Sequence, residues 1–293
     1  TSNRTQQGYR SGSGRQRARE FMELYQDSEV SALVATIGGS NSSSMIPFLD
    51  YEYIKNNPKI VCGFSDVTSL HLALLHYGNL RTFYGPTIMT WFSDYPDGEK
   101  ESIDSFMNAV TITEKSSRQI EPFSRWSNHF RDWADGSWKT VEREWHESDG
   151  GSVLCEGEAQ GEMLSCNLNT LVSAAGTEYF PEMEGKILYL EEMDAQFSEE
   201  ERNLMQLKLI GVFEKIKGLL IGRPENPNNQ NAPFSFGDLV MEIVGKKDYP
   251  VIINFDGSHT GPMHTFSQLT PVKISAKKEY QVDFQILAPM VSE

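Results

Sequence analysis

The chain is poor in cysteine, poor in positive charge and without any long apolar run. Cys62, Cys155 and Cys166 are its only cysteines, and no two form a C-x-x-C pair. A disulfide framework is therefore not expected, and a reducing cytoplasm fits. Lysine and arginine number 26 against 41 aspartates and glutamates, for a formal net charge of −15. That balance argues against a nucleic-acid polymer or an anionic membrane surface as the main partner. A local pocket can still oppose the global charge and take a small anion. No apolar stretch approaches the ~20 residues of a membrane span. There is no H-E-x-x-H, no His/Cys pairing at ligand spacing and no calcium-type loop, so neither metal nor other cofactor is expected. Repeats and low-complexity tracts are missing too.

What is present is an ordinary globular composition, with 39% apolar and 23% charged residues in 293. That length allows one large domain or two moderate ones. The opening "TSNRTQQGYRSGSGRQRARE" is polar and abrupt, and is expected to follow a segment trimmed upstream. Arg15 to Gln26 then has helical spacing at Ala18, Phe21, Met22 and Tyr25. "VSALVATIGG" (30–39) reads as a buried strand ending in two glycines. A short helix around Met45 to Leu49, the strand at Ile60 to Cys62, a helix from Leu70 and a strand in "RTFYGP" follow. This alternation implies a mostly parallel sheet covered by helices.

From about Thr87 to Gly150 the rhythm stops. The stretch holds all five tryptophans, Trp91, Trp126, Trp133, Trp138 and Trp145. Long irregular segments of this kind are often lids or binding loops. Regularity returns with "SVLCEGEAQGEML", read as a hairpin, and "KILYLEEM", an apolar strand ending in two glutamates. Ser198-Glu199-Glu200-Glu201 reads as a capping box for a helix through Phe213. "IKGLLIG" and "PVIINF" are strands, Phe236 to Val244 a helix, and the C-terminus a closing hairpin. The expected architecture is α/β with two domains. An N-terminal, mostly parallel α/β domain occupies 1–90 and an aromatic-rich linker or substrate loop 91–150. A mixed α/β, strand-rich domain occupies 151–293.

Three strand ends carry candidate chemistry: Ser65, Glu191 with Glu192, and His259. Functional groups of open α/β sheets gather at strand ends. A serine needs a base to become a nucleophile, and a carboxylate orients that base. "GFSD" between a strand and a helix has the geometry of a nucleophile elbow. An ordinary helix whose start is capped by Ser65 or Asp66 gives the same pattern. Glu192 rivals Glu191, because alternation decides nothing when both strand faces are buried. His264 rivals His259, which is preferred because it directly follows a strand. His71 and His76 fit packing or solvent, and His129 and His146 lie in the aromatic loop. In "ATIGGSNSSS", Gly-Gly after a strand suits one half of an oxyanion hole, with the Asp66 N–H as the other; a plain tight turn would look alike.

Taken together, "ATIGG-x-NS", "LDY…KNNPK", "G-[FY]-SD-x-T", "TFYGP", "CNLNTL", "KILYLEE", "KGLLIG" and "SHT-x-PM" resemble the LD-carboxypeptidase family of serine peptidases. Within it the chain is most similar to the microcin C immunity (MccF-like) branch. The resemblance runs from about Ser11 onward. It implies Ser65, Glu191 and His259 as a triad, with oxyanion donors at the backbone N–H groups of Gly39 and Asp66. It also implies a metal-independent, cytoplasmic enzyme that is commonly a homodimer. The branch cleaves the amide joining a peptide's terminal aspartyl group to a nucleotide, which detoxifies an antibiotic. The wider family releases a terminal D-amino acid from murein peptides, the alternative substrate. Trp133 or Trp138 would stack on the nucleobase in the first case. A non-catalytic peptide- or nucleotide-binding protein on the same scaffold is the reading from another class.

Overall fold

The computed structural model describes residues 7–148, 150–278 and 281–291. The first part holds α1 (Gly14–Gln26), β1 (Ala32–Val34), α2 (Tyr51–Asn56), β2 (Ile60–Gly63), α3 (Thr68–Gly78) and β3 (Phe83–Tyr84). The aromatic stretch holds α4 (Lys100–Thr111), β4 (Arg118–Ile120), β5 (Arg125–Trp126) and β6 (His146–Glu147). There follow β7 (Ser152–Cys155), β8 (Gly157–Asn167), α5 (Leu168–Ser173), β9 (Ile187–Glu191), α6 (Phe197–Leu209) and α7 (Val212–Lys215). The chain closes with β10 (Gly218–Gly222), α8 (Phe236–Val244), β11 (Val251–Phe255), β12 (Phe266–Ser267), β13 (Thr270–Lys277) and β14 (Gln281–Ile286). The protein is α/β with two main sheets.

The first sheet has the order β1-β2-β3-β12, parallel except for β12. β1 was expected to be buried, yet it lies on the sheet edge with Ala32 exposed. An edge strand has one row of backbone groups unpaired by its own sheet, and here it is only three residues long. Helix α3 is apolar nearly all round because it sits between cores, with Leu70 to Leu74 buried throughout.

The second sheet has the order β4-β14-β13-β8-β9-β10-β11-β7. Its centre, β8 to β11, is parallel, and the outer strands run antiparallel. Central strands read as unbroken apolar runs because both faces are covered: all five residues of β9 are buried. β7 and β8 do not form the expected hairpin. β8 pairs with β9 and β13, while β7 crosses to the far edge and pairs with β11. Both strands satisfy their alternation against other partners, so the pattern alone could not reveal which.

Two helical expectations also change. α4 is a full helix within the stretch read as irregular; Glu99 caps it, accepting from the Glu101 and Ser102 N–H groups at 3.3 and 2.6 Å. The capping box at Ser198 does not form. α6 starts at Phe197, whose N–H donates to the Asn228 carbonyl at 3.0 Å, and Ser198 N–H donates to Gln230 Oε1 at 2.9 Å. A distant loop has replaced the local cap. The helix ends at Leu209, and Gly211, at φ 80°, separates it from α7. No helix of the described residues is long and apolar enough to cross a membrane.

Candidate active site

Ser65 stands beyond the end of β2 with one residue, Phe64, between them, and has φ 61°, in the left-handed region that costs a non-glycine residue energy. Its side chain does not cap α3. The α3 N-cap is Val67, and neither it nor Phe64, which precedes the short turn at Ser65–Val67, makes a capping bond. Asp66 does not cap the helix either. Its Oδ2 accepts from the N–H groups of Asn41 and Ser42 at 2.9 Å each, and from Ser42 Oγ at 2.7 Å. Asp66 thus pins the loop after β1 against the serine. A Cβ at Gly38 would lie 2.9 Å from Ser65 Cβ and 3.0 Å from its Oγ, so only glycine allows that approach. The helix-cap reading gives way to a loop and an elbow locked together.

Behind the serine, His71 is fully buried and its Nε2 lies 2.9 Å from the Gly63 carbonyl. Burial lowers its pKa to about 4, so it is neutral. Tyr84 connects the two sheets. Its hydroxyl accepts from the Ser65 N–H at 3.3 Å and donates to Glu191 Oε1 at 2.5 Å. Burial first, then the charge of Glu191, raises the Tyr84 pKa well above the ordinary tyrosine value, so it stays a donor.

Glu191 ends β9 and is 1% exposed. Its Oε2 lies 2.6 Å from His259 Nδ1, and Asn167 Nδ2 reaches its Oε1 at 3.3 Å. A buried carboxylate is tolerable only with such bonds, each worth ~1.5–3 kcal/mol when one partner is charged. Glu191 faces the histidine; its rival Glu192 accepts instead from Asn167 Nδ2 and the Asn169 N–H, both at 3.1 Å. Gly222, at the end of β10, makes room for this arrangement: a Cβ there would lie 2.7 Å from Ser258 and 2.9 Å from Glu191.

His259 follows β11, its ring 4.8 Å from that of Phe64, edge to face. Burial pushes the imidazole pKa down, but the charge and hydrogen bond of Glu191, with Glu225 and Glu192 beyond, more than offset it; the net shift is upward. The carboxylate at Nδ1 holds the proton there and leaves Nε2 as the basic nitrogen. His264 stands elsewhere. It stacks on Phe123 at 4.1 Å and is pushed down to about 3 by burial, which makes it a poor base.

Two adjoining clefts meet here, with Met193 lining both. His259 opens into the smaller, about 80 Å³, whose wall includes Phe64, Trp133, Trp138, Arg131, Arg143 and Glu225. Both candidate tryptophans therefore lie on the histidine side. Trp91 also lines this cleft, but is buried under the Arg143 guanidinium, which stands 4.4 Å from its ring. Trp126 and Trp145 lie against Arg223 and Arg125. Asp94 pairs with buried Arg131 and, at 3.0 Å, with Arg143, which stiffens this wall. Ser65 opens into the larger cleft, about 400 Å³, together with Gly39, Asp66, Asn167 and Glu192. Sequence reasoning assigned no site role to Tyr84, Asn167 or Gly222. Tyr84 and Asn167 lay inside quoted motifs, "TFYGP" and "CNLNTL", but nothing in one sequence shows which way a motif side chain faces.

Similarity to known proteins makes the chain a serine-type, carboxypeptidase-like hydrolase. The chain belongs to the LD-carboxypeptidase family: the model of its N-terminal domain matches residues 1–85 and that of its C-terminal domain residues 160–274. It is similar to a putative carboxypeptidase of Vibrio cholerae, 35% identical over 87% of this chain and 75% of the relative. It is also similar to the microcin C7 self-immunity protein MccF of Escherichia coli, 33% identical over 88% of this chain and 74% of the relative. Solved structures of the microcin C7 self-immunity protein MccF superpose closely. One in complex with aspartyl sulfamoyl adenosine gives a TM-score of 0.90 at 30% identity, covering 99% of this chain and 85% of that one. A tryptophan-to-phenylalanine variant with adenosine monophosphate gives 0.91 at 29%, with the same coverage.

Proposed function

We propose that this chain hydrolyses an amide at the carboxyl end of a small peptide conjugate, of the microcin C peptidyl-nucleotide type. The connected set from Ser65 N–H through Tyr84 and Glu191 to His259 carries the reading. In it, Ser65 Oγ attacks the scissile carbonyl while His259 Nε2 takes the hydroxyl proton. Glu191 orients the ring and stabilises the imidazolium. The N–H groups of Gly39 and Asp66 hold the oxyanion, which is where most of the barrier reduction arises. His259 passes the proton to the leaving nitrogen as the carbon–nitrogen bond breaks. Water, deprotonated by His259, then attacks the acyl-enzyme and releases the free acid and Ser65.

On the leaving-group side, Trp133 and Trp138 offer ring faces to a nucleobase beside His259. The relatives' complexes with aspartyl sulfamoyl adenosine and adenosine monophosphate support a nucleotide leaving group. Family resemblance supports a cytoplasmic homodimer. The test is mass spectrometry of products after incubation with a peptidyl-aspartamido-nucleotide and, separately, a murein tetrapeptide. Release of the nucleotide by wild type and not by Ser65→Ala is the expected result. Release of D-alanine alone would move the enzyme to murein recycling, and turnover by folded Ser65→Ala would overturn the scheme.

A further inference from the structure

The loop that carries Gly39 has little core of its own. Ile37, Gly39 and Ser40 are exposed, so apolar packing does little to hold them. Among the described residues the Gly39 N–H has no hydrogen-bond partner, which leaves it free for a ligand. The loop is fixed at its two ends instead. Upstream, the Ile88 N–H donates to the Ala35 carbonyl at 3.0 Å and the Met89 N–H to the Thr36 carbonyl at 2.9 Å. Downstream, the Asp66 carboxylate takes the N–H groups of Asn41 and Ser42.

The other side of Asn41 meets a cation. Arg17, half-buried on α1, donates through one terminal nitrogen to the Asn41 carbonyl at 3.0 Å and to Ser44 Oγ at 2.6 Å. Its Nε donates to the Gly12 carbonyl at 3.2 Å. Ser44 Oγ in turn donates to the Asn41 carbonyl at 2.9 Å. Asn41 is thus held by a carboxylate at its N–H and by a guanidinium at its carbonyl, and both bonds are charge-assisted. The rigid fork of an arginine reaches such divergent acceptors at once, where an ammonium is a point charge. α1 is itself firmly placed. Ser13 and Gln16 close a capping box at its start, Ala18, Met22 and Tyr25 are buried, and a Cβ at Gly14 would collide with the Ser44 carbonyl oxygen. The clamp closes on Asn41, only Ser40 away from Gly39.

We propose that Arg17 is a positioning residue of the oxyanion hole. It holds the Asn41 carbonyl while Asp66 holds the Asn41 N–H, and the pair fixes the direction of the Gly39 N–H before the oxyanion forms. Donors set in advance in this way carry much of the barrier reduction in acyl transfer. The inference rests on the serine-hydrolase reading of Ser65 and on Gly39 as a donor, but not on the nucleotide leaving group.

A fluorophosphonate tests this without a choice of substrate. The bond from Ser65 Oγ to phosphorus forms as fluoride leaves, and the phosphoryl oxygen takes the oxyanion site. In folded Arg17→Met the labelling rate should fall about 10- to 100-fold, the cost of misplacing a group at the reacting centre by ~1 Å. Arg17→Lys should recover part of that loss. The acid limb of the rate against pH should stay where it is in wild type, because the carboxylate beside His259 is untouched. Arg19→Met removes the same charge from the same helix, at an exposed position paired with Glu23 at 3.5 Å, and should label at the wild-type rate. Ser44→Ala, also exposed, should slow labelling by a smaller factor, and it decides the matter if Arg17→Met does not fold. A wild-type rate in folded Arg17→Met, or in Ser44→Ala where the first variant does not fold, overturns the proposal. So does a shifted acid limb or an equal fall in Arg19→Met. A wild-type protein that is not labelled at Ser65 removes the serine-hydrolase reading, and the proposal with it.

Discussion

The base of the proposed mechanism is tuned by its neighbours more than by its own burial. His259 must be neutral to accept the serine proton, and its raised pKa places the acid limb of kcat/KM above the ordinary histidine value. Glu225 contributes to that rise, and burial brings its own pKa to about 7. Removing its charge in Glu225→Gln makes the imidazolium less favourable and so lowers the His259 pKa. The acid limb of the kcat/KM profile should move to lower pH, while an unmoved limb would show that Glu225 does not act on His259. At this scale the sequence was informative about residue types and poor about partners. Ser65, Glu191 and His259 were legible because each ends or follows an apolar strand. The strand pattern alone left Glu191 and Glu192 open and only the family resemblance favoured Glu191, because the choice depends on which carboxylate of a fully buried strand end meets a loop 68 residues away.

Among the elements, α6 shows most clearly why local signals can mislead. Ser-x-x-Glu predicts a capping box at Ser198, yet the loop at Asn228–Gln230 supplies the bonds and the helix starts two residues earlier. The hairpin expected at 152–164 failed in a similar way, through partners that lie far along the chain. The aromatic stretch hid α4 among polar residues, but its role as a wall of the site was legible from its tryptophans. Trp133 is 38% exposed in that wall. Replacing it with alanine removes a stacking face worth ~1–3 kcal/mol, so affinity for a nucleotide conjugate should fall about 5- to 150-fold. A D-alanine peptide, which has no base to stack, should lose far less, and equal losses in the two would argue for a purely structural tryptophan.

At the scale of the whole molecule, two sheets deliver their strand ends to one place. Tyr84 from the first bonds Glu191 of the second, and the Asn167 N–H donates to Thr68 Oγ1 at 3.0 Å. The α/β class was legible because buried parallel strands leave unbroken apolar runs. The sheet order was not, because pairing across the chain leaves no local mark. The same burial that builds the core sets an acid limit on stability. His71 and His264 are held neutral at about 4 and about 3, but ionise near 6.5 when unfolded. As pH falls below about 6.5 only the unfolded chain takes up these protons, so stability should decline down to about pH 4 and then more slowly. Denaturant titrations at several pH values should show this slope, reduced in a folded His71→Gln variant; an unchanged slope would remove His71 from the account.

The claim on which the rest depends is that Ser65 is a nucleophile activated by His259 and Glu191. Its most direct test is labelling of the folded protein with a fluorophosphonate, followed by peptide mapping. The account predicts one adduct, on Ser65, formed far more slowly in Glu191→Gln, where loss of the orienting carboxylate costs up to ~10⁴-fold in triads of this kind. No adduct, an adduct on another serine, or an equal rate in folded Glu191→Gln would contradict it.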